Sequence, residues 1–335
     1  MLLLVGDVGG TKTDLAVFVD GGDLRAPVAY ERIASAAFAD LEAAVGAFLA
    51  RTGLGVERAC IAVAGPVVGG RVELTNLPWV VDAASLAARL GVAAVDLLND
   101  LEAVAHAIPH LGPDDVRTLH AGVPAPGGAL AVIAPGTGLG QAFLTWDGTR
   151  HRAHPSEGGH ADFAPADELQ VELLRFLRAR IEHVSVERVA SGLGLSNVYD
   201  FLLARGAEPE RPEVTAAIAA APDRTRAIIE AARDARAPSR LCQAALALFV
   251  DALGAEAGNL ALKVLATGGV YLAGGMVTAI GPALDRGFMR AFVRKDRYAG
   301  LLGRMPVHAI TNPRVALLGA ARRGFELAGV PVAGT

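Results

Sequence analysis

The chain is poor in cysteine. Cys60 and Cys242 are its two thiols, far apart and outside any C-x-x-C pairing, so neither a disulfide framework nor a thiolate zinc site is available. Aromatic residues are scarce at 5% and the net charge is a mild −4. That composition argues against nucleic acid or a membrane surface as the main partner. Lysine occurs only at positions 12, 263 and 295, arginine carrying nearly all the positive charge, which reads as compositional bias. There is no Gly-Lys dipeptide and no G-x-G-x-x-G, so a Walker-type loop and a dinucleotide fingerprint are excluded. No targeting signal stands out, because the apolar run at 2–5 lacks a basic flank and meets Asp7 at once. A hydropathy scan flags residues 264–284, which are uncharged. Their Gly268, Gly269, Gly274, Gly275, Gly281 and Pro282 fit a buried strand, a glycine turn and a helix start better than a lipid-exposed helix. A soluble, cytoplasmic protein is expected.

What is present is apolar material in quantity: 335 residues, 52% of them hydrophobic, enough for two ordinary domains with buried cores. Apolar runs at 2–8, 15–20 and 28–34 predict strands around a glycine turn. Residues 38–51 have helical spacing, and 59–64 is a short strand. Asp82 caps a helix to Leu90, 92–98 is a strand, and Asn99 or Asp100 opens a helix to Ala107. Pro109, Gly112 and Pro113 mark a domain boundary. A strand-rich block follows at 116–153, then helices from 166 to about 265, punctuated near Ser191, Pro212, Pro222 and Pro238. Strands at 270–273 and 307–310 precede a final helix opened by Pro313. Alternation of this kind implies α/β layers.

An internal repeat appears at an offset of 127 residues. Leu4-Val5-Gly6-Asp7-Val8-Gly9-Gly10-Thr11 overlies Ala131-Val132-Ile133-Ala134-Pro135-Gly136-Thr137-Gly138, and each copy runs on to an Asp-Gly turn, at 20–21 and 147–148. In each, neighbouring glycines let backbone N–H groups turn toward a phosphate with no Cβ in the way. Thr11 adds a hydroxyl. Asp7, a carboxylate beside such a turn, suits a hydrated Mg²⁺, which takes few protein ligands. The plainer reading of either turn is a tight hairpin. The second copy has no acid equivalent to Asp7.

Three further segments carry polar groups at strand ends. Asn99-Asp100 stands where α/β folds bind ligands, and is also a natural helix cap. Glu157-Gly158-Gly159-His160 offers acceptors and an imidazole to a polyhydroxyl ligand, although a lone loop histidine is ordinarily just solvated. Glu187 could add a carboxylate, but pattern alone reads it as a surface helix residue paired with an arginine. Gly274-Gly275, after an apolar strand, would let a flat adenine or ribose lie on backbone, or would simply turn a core strand into a helix.

Taken in order, Asp7–Thr11 with Leu15-Ala16, Asn99-Asp100, 136–140, 157–160 and Leu272-Ala273-Gly274-Gly275 resemble the bacterial ATP-dependent glucokinases of the hexokinase–actin-like superfamily. Thr75-Asn76, 162–165, 186–188, Ser191-Gly192 and Asn312-Pro313 extend the likeness over nearly the whole chain. It is to the branch without structural zinc, since no cysteine cluster follows the Glu/His loop. Lys12-Thr13-Asp14 departs from the Asn-Ala-Arg of many such proteins toward the related repressor/kinase branch.

The resemblance implies a two-domain actin-like ATPase (ribonuclease H-like) α/β fold with an interdomain cleft, the smaller domain at 1–110 plus 313–335 and the larger at 111–312. It implies transfer of the γ-phosphoryl of ATP to the 6-hydroxyl of glucose, with Asp100 as general base. Asn99, Asp100, Glu157, His160 and Glu187 would hold the sugar. Gly6, Asp7, Val8, Gly9, Gly10, Thr11, Gly136, Thr137, Gly138, Gly274 and Gly275 would hold the nucleotide, and Asp7 the Mg²⁺. A homodimer is expected on the same ground. A broader hexose or amino-sugar kinase, a sugar-sensing regulator without turnover, an assembly ATPase, and ADP or polyphosphate as donor stay open at this point.

Overall fold

In a computed structural model, residues 1–74 and 77–330 are described. The chain separates into two compact units, Met1–Asp115 with the chain from Asn312 onward, and Val116–Thr311.

The first unit runs β1 (Leu2–Val8), β2 (Lys12–Val19), β3 (Ala29–Ala34), α1 (Leu41–Thr52), β4 (Arg58–Val63), β5 (Arg71–Glu73), β6 (Val80–Asp82), α2 (Ala83–Leu90), β7 (Val95–Asn99) and α3 (Asp100–Ala107). Its main sheet has the order β3-β2-β1-β4-β7, antiparallel through the hairpins and parallel from β1 to β7. Leu3, Leu4, Val5, Leu15 and Ile61 are buried in its centre. The helix expected from 38 begins at Leu41 instead. Asp40 stops the chain in extended conformation and accepts a hydrogen bond from the Ala43 N–H at 2.7 Å, which makes it the N-cap. β2 starts earlier than its apolar pattern, at Lys12, because pairing with β1 extends to Val8↔Thr13 and pairing with β3 to Lys12↔Ala34.

The second unit holds β8 (Val116–His120), β9 (Leu130–Pro135), β10 (Leu139–Trp146), β11 (His151–Ser156), α4 (Glu168–Arg178), α5 (Gly192–Arg205), α6 (Pro212–Ala220), α7 (Arg224–Arg233) and α8 (Arg240–Val264). It continues with β12 (Gly269–Leu272), α9 (Gly275–Ala279), α10 (Gly281–Val293), α11 (Ala299–Leu302) and β13 (Val307–Ile310). Its sheet, β11-β10-β9-β12-β13-β8, repeats the order of the first over five strands, three antiparallel and then two parallel, and adds β8 antiparallel to β13 as a sixth. The repeat seen in the sequence is therefore a repeat of architecture, with β9 and β10 standing where β1 and β2 stand.

Residues 264–284 form a strand, a glycine turn and helix starts, as their composition suggested. Among the described residues the helix long and apolar enough to cross a membrane is α8, and 78% of its apolar window is buried within the protein. Leu241, Ala245, Phe249, Leu253 and Ala257 make it the central helix of the second core.

The last helix, α12 (Val315–Leu327), returns to the first unit and packs on α3, β1 and β4. It opens at Val315, two residues beyond Pro313, which precedes the helix rather than starting it. Gly319 meets α3 so closely that a Cβ there would stand 1.7 Å from the Ala103 carbonyl oxygen.

Asp115 and Asn312 mark the two places where the chain passes between units. The buried Asp115 carboxylate accepts from Asn312 Nδ2 at 2.9 Å, from the Gly112 N–H at 2.8 Å and from the Arg25 guanidinium. Burial pushes its pKa up, but these hydrogen bonds outweigh burial and hold it below the ordinary carboxylate value. The folded state therefore binds this proton less readily than the unfolded one, and the stability involved is present above the unfolded pKa and lost as pH falls through the folded value. Asp115→Ala is expected to lower the unfolding free energy by about 1–3 kcal/mol at neutral pH. In denaturant melts the difference from the parent should shrink as the pH is lowered through the acid range; a gap that stays constant with pH would mean the charge is not what stabilises the junction.

Candidate active site

The first glycine turn closes on itself and leaves donors outward. The Gly9 N–H bonds the Lys12 carbonyl at 3.0 Å, and Ser35 Oγ braces the turn by donating to the Gly9 carbonyl at 2.8 Å while touching Thr13 Oγ1 at 3.0 Å. The N–H groups of Gly10 and Thr11 donate to no described group. Gly6 and Val8, expected beside them, lie inside β1 with Val8 fully buried, so they shape the strand that carries the turn.

The second turn is built alike. The Gly136 N–H bonds the Gly138 carbonyl at 2.8 Å, and the N–H groups of Thr137 and Gly138 are left without a described partner. Here the brace comes from α5, whose first residue, Gly192, donates its N–H to the Gly136 carbonyl at 2.8 Å. Gly274, at φ 95° where a side chain would be strained, lies against the Pro135 carbonyl, a Cβ there coming within 3.1 Å. The Gly274-Gly275 segment thus sits beside this turn.

Asp7 faces Asp14 across the β1–β2 pair. Asp14 is saturated: it accepts from Tyr30 Oη at 2.7 Å and from Arg32 Nε and Nη2 at 2.7 and 2.9 Å. The Asp7 carboxylate accepts no hydrogen bond from any described residue. Burial, then the negative charges of Asp100 and Asp14, push its pKa up to about 7 against a partial opposing effect of Arg32. A carboxylate so short of positive charge fits a divalent cation. Among the described residues no group of three or more His, Cys, Asp or Glu could hold a metal ion. Mg²⁺ needs none, since it keeps its waters and takes further ligands from phosphate oxygens.

Asn99 takes the cap of α3, its Oδ1 accepting from the Leu101 and Glu102 N–H groups at 2.9 and 3.3 Å. Its amide donates to the Gly65 carbonyl at 3.1 Å. Asp100 follows as the first helical residue, Oδ1 at 2.8 Å from the Leu101 N, close enough to Asp7 for its charge to be felt there. Candidate base and candidate metal carboxylate are thus neighbours in one unit.

In the second unit Leu139 joins two segments. Its N–H donates to Glu187 Oε2 at 2.8 Å, and its carbonyl lies 1.8 Å from where a Cβ on Gly159 would be. Glu187, which the pattern reads as a surface helix residue beside an arginine, is instead in a 3-10 turn, Val186–Arg188, turned onto the start of β10. Glu157 and His160 are both more than half exposed, with Oε2 and Nε2 3.9 Å apart. Gln141, buried under this loop, escapes sequence reading because a single glutamine in a strand has no pattern. Thr75 and Asn76 lie outside the described residues.

Comparison with known proteins shows what the chain is similar to along nearly its whole length. The glucokinase family profile matches residues 4–324. A glucokinase of Nostoc sp. is 43% identical, covering 96% of this chain and 98% of that protein. One of Yersinia enterocolitica is 38% identical, covering 95% and 94%. The crystal structure of a glucokinase from an Antarctic psychrotroph superposes with a TM-score of 0.82 at 30% identity, covering 97% of this chain and 99% of that one. A ROK family glucokinase from Streptomyces griseus, in complex with glucose and AMPPNP, shares the fold at a TM-score of 0.66 and 19% identity, covering 97% and 100%.

The electrostatics of Asp7 can be read directly. In the ligand-free protein its carboxyl carbon should titrate near neutral pH in ¹³C spectra. Asp100→Asn, which removes a negative neighbour, should move the midpoint down. An Asp7 midpoint in the ordinary carboxylate range would contradict the environment described.

Proposed function

Because this chain belongs to the glucokinase family, whose members are ATP-dependent sugar phosphotransferases, we propose that it phosphorylates glucose at the 6-hydroxyl with Asp100 as general base. The observation that carries this reading is the doubled turn. Two hairpins at equivalent places in two like sheets each present a pair of unbonded N–H groups, and one of them has an acid beneath it. Two nests and one carboxylate suit a nucleoside triphosphate accompanied by a metal ion.

Phosphoryl transfer asks a protein for positioning and charge stabilisation more than for covalent chemistry. The Gly10, Thr11, Thr137 and Gly138 N–H groups would hold phosphate oxygens, and Gly274-Gly275 would face the nucleoside. Asp7 would hold the hydrated Mg²⁺, which when bound offsets negative charge on the phosphates. Asp100 accepts the proton of the sugar 6-hydroxyl as that oxygen forms its bond to the γ-phosphorus and the bond to the ADP oxygen breaks. One N–H of Asn99 remains after its cap and its bond to Gly65, and it would serve a sugar hydroxyl. Glu157, His160 and the second oxygen of Glu187 would read the remaining hydroxyls. The protein is expected to work in the cytoplasm as a homodimer.

Asp100→Asn keeps the size of the side chain and removes the proton acceptor, so kcat should fall by roughly 10²–10⁴-fold. Glucose affinity should fall less and ATP affinity hardly at all. Asn99→Ala, which loses the cap but not the base, should lower Tm and weaken glucose binding without that loss of kcat. An Asp100→Asn enzyme with nearly full kcat would reduce Asp100 to a helix-start residue.

A site that hydrogen-bonds hydroxyls rejects analogues that leave its buried groups unpaired. Glucose should therefore exceed its 2-epimeric and 2-amino analogues in kcat/KM. Equal values across the panel would remove the role given to the 157–160 loop.

A further inference from the structure

A line of polar groups, buried at Gln141 and Glu256 and half-buried at Asn259 and Lys295, runs behind the Glu157–His160 loop, and its direction is fixed from the far end. Lys295 Nζ can only donate, and it does so to Asn259 Oδ1 at 2.6 Å. The Asn259 amide is thereby oriented and its Nδ2 donates to Glu256 Oε2 at 3.0 Å. Glu256 stands on α8 and is 5% exposed; as a carboxylate it can only accept. Its other oxygen, Oε1, takes a hydrogen bond from Gln141 Nε2 at 2.8 Å. The Gln141 amide is left one way round, with its own Oε1 against Gly158. That oxygen is so close that a Cβ on Gly158 would come within 2.2 Å of it.

The loop has no other freedom on this side. Gly159 is pressed on the Leu139 carbonyl, and the Gly158 N–H is tied to Ser156 Oγ at 3.1 Å. The floor under Gly158 is therefore the amide oxygen of Gln141, and what keeps that oxygen there is a carboxylate on another element. Glu157 and His160, by contrast, are more than half exposed on the loop's open side.

We propose that Glu256 is a positioning residue for sugar recognition: it locks the Gln141 amide in one orientation and so sets the seat of the loop that presents Glu157 and His160. This rests on the reading of that loop as the sugar-binding one. The Glu256 carboxylate accepts from two donors at once, one on each oxygen. Replacing it by an amide forces one neighbour to meet donor with donor. Since Asn259 is fixed by Lys295, the strain falls on Gln141 and on the loop above it.

The test is the single variant Glu256→Gln, nearly identical in shape, beside an exchange variant that combines Glu256→Gln with Gln141→Glu. In the exchange variant the new amide on α8 accepts from Asn259 and donates to the new carboxylate on β10. The second oxygen of that carboxylate again faces Gly158, so the donor and acceptor order is restored. Glu256→Gln should raise the glucose KM by about tenfold, the effect of one misdirected buried hydrogen bond. The ATP KM and kcat at saturating glucose should stay within about twofold of the parent, as expected where only ground-state binding of the sugar is weakened. Amide hydrogen exchange should quicken at 157–161 and not at 9–11. The exchange variant should return both the KM and the protection toward the parent. Unchanged loop exchange in Glu256→Gln, or glucose and ATP KM rising together without rescue by the exchange variant, would overturn the proposal. His160→Ala separates the underlying reading: an unaltered glucose KM there would remove the sugar role of the loop, whatever Glu256→Gln does to its exchange.

Discussion

A protein that grips phosphate with its backbone must leave peptide N–H groups unbonded at the end of a buried strand. Such groups are tolerable only where solvent or a ligand reaches them, since a buried unpaired donor costs about 1–3 kcal/mol. Both hairpins meet this condition in the same way. The first glycine spends its N–H inside the turn, to Lys12 in one and Gly138 in the other, and the two N–H groups that follow have no described acceptor. Each turn is then held by a neighbour that bonds its first carbonyl, Ser35 by its hydroxyl and Gly192 by its backbone. The like order of the two sheets gives both turns the same support.

Charge is arranged just as unevenly. Arg32 and Tyr30 satisfy Asp14 completely, while Asp7, its partner across the same pair of strands, gets neither. Two carboxylates one strand apart thus have separate duties. Asp14 anchors the hairpin, and the Asp7 carboxylate accepts no hydrogen bond from a described residue. The Arg32 guanidinium, engaged by Asp14, offsets the charge on Asp7 only in part.

What can be read from the sequence is what is local. β1 ends where its apolar run ends, Asp82 caps α2, and the residue pair at 99–100 divides into a cap and a helix-start acid because adjacent residues settle that between themselves. The starts of α1 and β2 differ from the apolar pattern because a cap and a paired strand decide them. Glu187 defeats a local reading since its partner, Leu139, is 48 residues away. Gln141 and Glu256 are 115 apart, and neither has a neighbour in sequence that hints at the other. The compositional reading of 264–284 holds for that segment, yet the more membrane-like helix is α8, apolar because it is the centre of a core.

The second unit is an uninterrupted insertion, entered after Asp115 and left before Asn312, with those two residues tied together. Its first and last strands are themselves paired, Val116 opposite Ile310. On the ribosome this means that the first unit is begun early and finished last. Its sheet emerges first, but α12, which seats Gly324 against Leu3 and Cys60, is made only after the whole insertion. At typical synthesis rates that interval is on the order of 10–40 s, ample for the inserted unit to fold first. Throughout it β1 and β4 lack the helix that later packs on them, so the nascent chain is open to aggregation at a face the finished protein packs closely.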